Sequence, residues 1–355
     1  MSAYVEDPII LDSTGQEIKT TLTGIQTALE NQNSSFLPKT GGTLSGDLNT
    51  QNVYPDEGIL RNLGSEEKQY LEIFVKYLAL GGKRCDPKGL HNGLYRGALL
   101  YDAINNQAGV FDSIEAIHNA IAGNDFSNIY IGDYIDIKIS GSYTVSSAVS
   151  FNESVRMVVA AIDYYWKRGD GDGLLSHHVV LVPENAFANS APMNSSATTS
   201  GGYVGSVMHS TILPAYATAI NSALGGHLLT FRSYLTNSIN SSGACAGYIP
   251  WTGCAGGGTW TSCNIRLLSE PMVYGGTAFS SSGFDVENGT QILPYFALRP
   301  DKLVCGNGYN ATNRCDWWLS AVANSSHFCL VSYGGGAYYS SASHSIGVRP
   351  LVLFG

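Results

Sequence analysis

Asp316-Trp317-Trp318-Leu319 opens, and Gly347-Val348-Arg349-Pro350-Leu351-Val352-Leu353-Phe354-Gly355 closes, the stretch on which the rest of the chain is organised. From Trp317 to Val348 there is no Asp, Glu, Lys or Arg. Both ends are apolar enough to bury themselves. Between them Phe328, Leu330 and Val331 lead into Ser, Gly, Tyr, Ala and His. Tyrosine brings a large amphipathic face at small entropic cost, while Ser and Gly adapt their hydrogen bonding, which is the composition of a paratope. The plainer alternative is a surface loop joining two strands. The candidate contact residues are Ser332, Tyr333, Ala337, Tyr338, Tyr339, Ser340, Ser341, Ser343 and His344, with Asn324, Ser325 and His327 at the edge. Trp251 and Trp260 are candidates for a second aromatic loop beside them.

Working outward, only 13% of the residues are charged, about half the usual share, so polarity rests on Ser, Asn, Thr and Gly. The formal net charge of -9 leaves no basic footprint for nucleic acid. No apolar run has membrane-spanning length, and Met1 to Asp7 lacks the basic start of a signal peptide, so export through this N-terminus is not expected. Seven cysteines include no C-x-x-C pair, so they read as reduced core or loop residues and not as a zinc site. No metal or other cofactor is implied.

Near the N-terminus Ile18, Leu22, Ile25 and Leu29 follow a 4-3-4 spacing behind a capping signal at Ser13 or Thr14, the pattern of a short coiled coil of three or four strands or of an ordinary amphipathic helix. Gly81 to Gly89 reads as a hinge. Beyond it, Phe111, Ile114, Ile117, His118 and Ile121 mark an amphipathic helix capped by Asp112 or Ser113. Ile129 to Ile139 alternates as a half-buried strand, and Val158 to Ile162 is continuous enough for a buried one. Residues 178–182 form another strand, and 202–224 a helix interrupted near Pro214. Residues 264–274 and 291–298 are expected to be strands.

Two resemblances follow from these residues. Phe36-Leu37-Pro38-Lys39-Thr40-Gly41-Gly42-Thr43-Leu44-Ser45-Gly46-Asp47-Leu48 resembles a repeat of bacteriophage tail fibres, and Asn62-Leu63-Gly64-Ser65 with Tyr70 to Val75 is similar to a second fibre-shaft pattern. From about residue 90, the ordered series Asn92-Gly93-Leu94-Tyr95-Arg96-Gly97, Ile131-Gly132-Asp133-Tyr134, His177 to Pro183, Met193-Asn194 through Gly201 to Ser206, Leu268 to Gly275, Trp317-Trp318-Leu319 and Gly347-Val348-Arg349-Pro350 resembles C-type-lectin-like domains at phage tail tips. It is similar in particular to the variable proteins of diversity-generating retroelements. The implied fold is α+β, with a C-type-lectin-like head behind a short coiled coil and a β-rich trimeric shaft. The implied divisions are 1–35, 36–89 and 90–355, with a variable segment at 317–348. The implied role is a non-enzymatic tail-tip adhesin, made in the bacterial cytoplasm and carried on the virion. It would form a homotrimer, contact other tail proteins through its N-terminus and bind a bacterial surface protein or glycan. Those relatives often carry Arg after the W-L pair, whereas Ser320 stands here. A virion decoration protein is the first alternative. An enzyme on a related fold, either a depolymerase or a formylglycine-generating-type oxidase, is the second.

Other chemical motifs read as structure. His177 and His178 point to opposite faces of a strand, a surface histidine beside a core one. Gly169-Asp170-Gly171-Asp172-Gly173 lacks the register of a calcium loop and reads as a turn. Asp133 and Asp136 read as solvated carboxylates at a strand end. Cys315 or Cys329 with His327 lacks a third orienting group for nucleophilic chemistry. Arg349, in an apolar tail, needs acceptors, and backbone carbonyls or Glu270 are the expected ones.

Overall fold

Val158 to Ile162 occupies the centre of the fold because β-branched and small apolar residues can be covered on both faces of a sheet. The computed structural model describes residues 23–27, 78–80, 83–85, 87–244, 252–280 and 290–355. The chain divides into Met1–Phe74 and Val75–Gly355. In the first unit residues 23–27 are helical, with Ile25 exposed. Ile18, Leu22 and Leu29, and the tail-fibre-like motifs between 36 and 75, lie outside the described residues. The expected hinge opens with a small antiparallel pair, β1 (Leu78–Leu80) and β2 (Lys83–Cys85), followed by helix α1 (Pro87–Asn92).

The second unit mixes helices and sheets, with sheets predominating. Its main sheet uses β3 (Leu99–Asp102), β4 (Gln107–Ala108), β5 (Tyr134–Thr144), β6 (Ala148–Ile162), β7 (Val179–Pro183), β10 (Ile265–Leu267) and β14 (Pro350–Phe354). The seven strands run in the order β10-β14-β7-β6-β5-β3-β4. Within it β3 and β5 are parallel, and β5 and β6 form a long hairpin from Tyr134↔Val158 to Thr144↔Ala148. The C-terminal strand β14 therefore lies inside the sheet, antiparallel to β7 and β10. A separate two-stranded ribbon joins β8 (Phe231–Ala244) to β9 (Thr252–Cys263).

Helix α2 (Ile114–Ala122) begins where Ser113 Oγ accepts from Ala116 N–H at 3.1 Å, and it buries Ile117 and Ile121. The interruption expected near Pro214 is a π-helical turn, Met208–Ile212, running into α3 (Leu213–Ala223). Pro214 stands in the first turn of α3, where its missing N–H is no loss. Two strand expectations are corrected. Residues 264–274 form β10 and then helix α4 (Glu270–Tyr274), which ends on left-handed Gly275. Residues 291–298 end in helix α5 (Pro294–Leu298). Each helix has a proline in its first turn, a signal that the short apolar run concealed.

The solvated reading of Asp133 and Asp136 is also corrected, because both are buried. Asp133 takes two N–H bonds from Arg96, at 3.0 and 2.6 Å, and backbone N–H bonds from Ala98 and Tyr130. Asp136 takes a bidentate pair from Arg156, each bond 2.8 Å, and the Tyr309 hydroxyl at 2.7 Å. Asp170 pairs with Arg232 at 2.7 Å, which makes the glycine-rich stretch a turn held to the ribbon. His178 is the core histidine, accepting from Tyr165 N–H at 3.0 Å. His177 stacks on Trp166 and contacts Asp163 at 2.9 Å.

Arg349 is fully buried. Its Nε donates to Pro183 O and its Nη1 to Lys302 O, both at 2.8 Å. The guanidinium lies over the rings of Phe296 and Trp317. Of the two expected partners, the carbonyls are used and Glu270 is not. Glu270 is instead wrapped by N–H groups of Ala278, Phe279 and Ser280 and by the Ser280 hydroxyl. Replacing Arg349 with Ala strands two buried carbonyls, so it is expected to cost about 3 kcal/mol. Denaturant unfolding measures this, and Lys at 349 is expected to recover only part of the loss because it lacks the planar fork.

His209 packs on the Tyr203 ring, and burial, then the Arg266 charge, pulls its imidazole down to about 4 from 6.5. The unfolded chain therefore binds more protons between these values. The stability His209 contributes is complete above pH 6.5 and is lost as pH falls toward about 4. After allowance for partial exposure the loss is on the order of 2 kcal/mol. Unfolding midpoints measured across this window are expected to fall, and to fall less in His209→Gln.

Candidate binding surface

The uncharged segment folds as a three-stranded antiparallel sheet of its own: β11 (Trp317–Asn324), β12 (His327–Val331) and β13 (Ala337–Ser341), in that order. Every residue of β11 is buried, and so is β12 except His327. The two indoles at the start of β11 are satisfied inside the protein, Trp317 Nε1 by Leu303 O at 2.9 Å and Trp318 Nε1 by Ala191 O at 2.8 Å. Ser320 is buried too, and its Oγ faces Arg266 Nη2 at 3.4 Å. The inner edge of the exposed surface therefore starts at the β11–β12 turn, not at Ser320.

β13 is the outer strand of this sheet, and its side chains reach solvent. Tyr338 is 54% exposed and Tyr333, in the preceding loop, 64%. Tyr339 stacks on Tyr338 with centroids 5.0 Å apart and planes 12° from parallel, and Phe279 meets Tyr339 edge-on at 5.2 Å. The loop between β12 and β13 is held from two sides. Tyr333 N–H donates to Asp316 Oδ1 at 2.7 Å, and the Tyr274 hydroxyl donates to Gly335 O at 3.1 Å. Gly335 has φ +87, and an added Cβ there would sit 3.3 Å from Val304 Cγ2, so the turn requires glycine. Beyond β13, Ser340 Oγ pairs with His344 Nδ1 at 2.9 Å and Ser341 Oγ with Ser343 Oγ at 3.1 Å. Ser343 and His344 are exposed, and Ser332, Ala337, Ser340 and Ser341 are half-buried.

Asn324 departs from the expectation. It is buried, and its Oδ1 accepts from Ser326 N–H at 2.9 Å and lies 3.0 Å from His327 Nδ1. That makes it the brace of the turn, not a contact residue. Ser325 at the tip is exposed. Partial burial, then the neighbouring His344, hold His327 below the usual imidazole range.

In the sequence, the segment from Met193 to Ser206 stands out only as part of the family series, and its role as a strap beneath the turn is not foreseen. Thr199 Oγ1 donates to Asn324 O at 2.8 Å, Thr199 N–H to Ser325 O at 3.0 Å, and Asn194 N–H to Ala342 O at 2.8 Å. Ser195, Ser196 and Ala197 of this strap are exposed next to the turn. Only their small polar character signalled it. Trp260 lies within β9 and meets Tyr234 edge-on, so it belongs to a strand and not to an aromatic loop, while Trp251 falls outside the described residues.

Residues 227–354, which include this entire sheet, match a family described as a domain of unknown function, DUF6273. No curated protein and no solved structure matches the chain.

Among the described residues one group has metal-ligand character. Glu115, His118 and His227 bring their ligand atoms within 4.8 Å of one another. The two imidazoles stack at 3.7 Å with planes 13° apart, and His227 Nε2 already contacts Glu115 at 2.9 Å. Lone pairs lie in the ring plane, so stacked rings aim theirs side by side, and a shared ion would need one ring to turn.

The brace and the tip should respond differently to truncation. Asn324→Ala is expected to cost about 1–2 kcal/mol in denaturant unfolding, because the turn loses its internal acceptor. Ser325→Ala is expected to stay within about 0.5 kcal/mol.

Proposed function

We propose that this chain is an adhesin whose second unit grips a bacterial surface receptor through the outer face of β13 and the adjoining loops. The observation that carries the reading is the uncharged tyrosine group of exposed Tyr333 and Tyr338 with half-buried Tyr339, carried on an outer strand and loop that are backed by the buried strands β11 and β12. Such an array offers stacking faces and hydroxyls at little entropic loss on binding. The C-type-lectin-like reading draws support from a small three-stranded sheet followed by a terminal strand that returns to the main sheet between β10 and β7. Retroelement diversification of the segment, placement on a phage tail and assembly as a trimer are parts of the same proposal, motivated by the sequence motifs. Three weak heads on one shaft would raise apparent affinity through effective concentration.

The test is the double substitution Tyr338→Ala/Tyr339→Ala, with Tyr333→Ala as a second variant. Fluorescently labelled protein is expected to lose binding to host bacteria by at least about tenfold while keeping its circular dichroism spectrum and its oligomeric mass. Unchanged binding would remove this surface from the proposal. A loss of assembly with the fold intact would favour the decoration role.

A second reading rests on a different place. Glu153 and Glu184 line one cleft with Arg156, Asn185 and Tyr309. Burial raises the Glu153 carboxyl above its ordinary range, whereas Glu184 is paired with Lys302 at 2.9 Å. Two carboxyls in one cleft, one raised by burial and the other held by a lysine, are the parts of a glycan-cleaving enzyme. Release of reducing ends from host envelope polysaccharide, abolished by Glu153→Gln, would establish that reading.

A further inference from the structure

The loop that feeds β11 closes on itself through two cysteines. Cys305 and Cys315 face each other as an antiparallel bridge, with Cys315 N–H donating to Cys305 O at 2.9 Å. Directly opposed residues on such a bridge have Cα atoms about 4.5–5.5 Å apart, within the span a disulfide bridges. The site is tightly backed. A Cβ at Gly347 would lie 3.2 Å from Cys315 Sγ and 2.7 Å from Asp316 O, so only glycine leaves the sulfur its place.

The two thiols are chemically unequal. A hydrogen bond from the Cys315 thiol, aided by the Arg349 charge and the Ala186 N–H, brings Cys305 down to about 6. The same contact pushes Cys315 up. Cys305 is 5% exposed, whereas Cys315 is partly open. The sulfur that solvent reaches is thus the protonated one, with a thiolate held behind it. That order suits a pair that closes on itself better than one that attacks an outside partner.

We propose that Cys305 and Cys315 are a disulfide-forming pair, which clips residues 305–315 into a ring at the foot of the tyrosine-bearing sheet when the protein meets a small-molecule disulfide. With glutathione disulfide the step is balanced. The Cys305 thiolate takes the proton of the Cys315 thiol along the contact between them, and the Cys315 thiolate so formed attacks the S–S bond and releases one glutathione thiolate. Cys305 gives that proton to the departing glutathione, and its sulfur then attacks the Cys315 sulfur of the mixed disulfide and displaces the second glutathione, which takes up a proton from solvent. Two electrons pass from the cysteine pair to the glutathione disulfide, with one proton from the pair and one from solvent. The clip is independent of what the tyrosine face binds.

The experiment uses the full chain. One sample is incubated with glutathione disulfide and one with dithiothreitol, and both are alkylated, digested and mapped by mass spectrometry. The expected result is a crosslinked peptide joining Cys305 to Cys315, lighter by two hydrogens than the reduced pair. The melting temperature of the oxidised sample is expected to rise by a few degrees, a difference absent from Cys305→Ser/Cys315→Ser. Alkylation of both cysteines after oxidation, glutathione left on Cys315, or crosslinks to other cysteines would each overturn the proposal. The mapping uses the unsubstituted protein, so it decides the matter even if the double variant does not fold.

Discussion

A guanidinium sealed from water depends on acceptors inside the protein, and Arg349 gives two of its nitrogens to carbonyls in two separate parts of the chain, while Nη2 has no hydrogen-bond partner among the described residues. Its bonds to Pro183 O and Lys302 O join the end of β7 to the turn after α5, while its own backbone leads into β14. The same group lies over Trp317, the first residue of β11. One buried cation therefore sets where the terminal strand enters the main sheet and where the small sheet begins. A buried charge of this kind adds little net stability, but its hydrogen-bond geometry admits few alternative packings.

The same physics recurs at the other buried charges. Asp133 and Asp136 are neutralised by Arg96 and Arg156, and Glu270 is surrounded by backbone and hydroxyl donors. In a chain with few charged residues, these are spent on the frame. The tyrosine face is left without any between Trp317 and Val348. A face built this way carries no ions to desolvate, and its rings and hydroxyls are held by packing. Phe279 behind Tyr339, Asp316 beneath Tyr333 and Tyr274 against Gly335 provide that support.

Several features were legible from local pattern. The 3.6-residue period and the Ser113 cap announced α2, the unbroken apolar run announced the interior of β6, and the absence of charge announced the segment that carries the exposed tyrosines. Short apolar runs were not legible. Around Glu270 and Pro294, length and composition fitted strand or helix equally, and proline in the first turn together with tertiary packing selected helix. The site divided in the same way. Tyr333 and Tyr338 are exposed as their composition suggested, whereas Asn324, of equally polar type, is drawn inside to brace a turn.

The sequence by itself determined which residues lack charge, which repeat with a helical or strand period, and that both ends of the last segment must be buried, because these follow from each side chain and its near neighbours. Tertiary structure alone decided that β11 is covered on both faces, that Ala191 to Thr199 straps the turn, and that Cys305 meets Cys315. Burial and opposition are properties of pairs brought together by the fold. Ala191 and Ile346 pair although α3 to α5 and β8 to β13 lie between them in the chain, and nothing within a short window of either residue encodes the other.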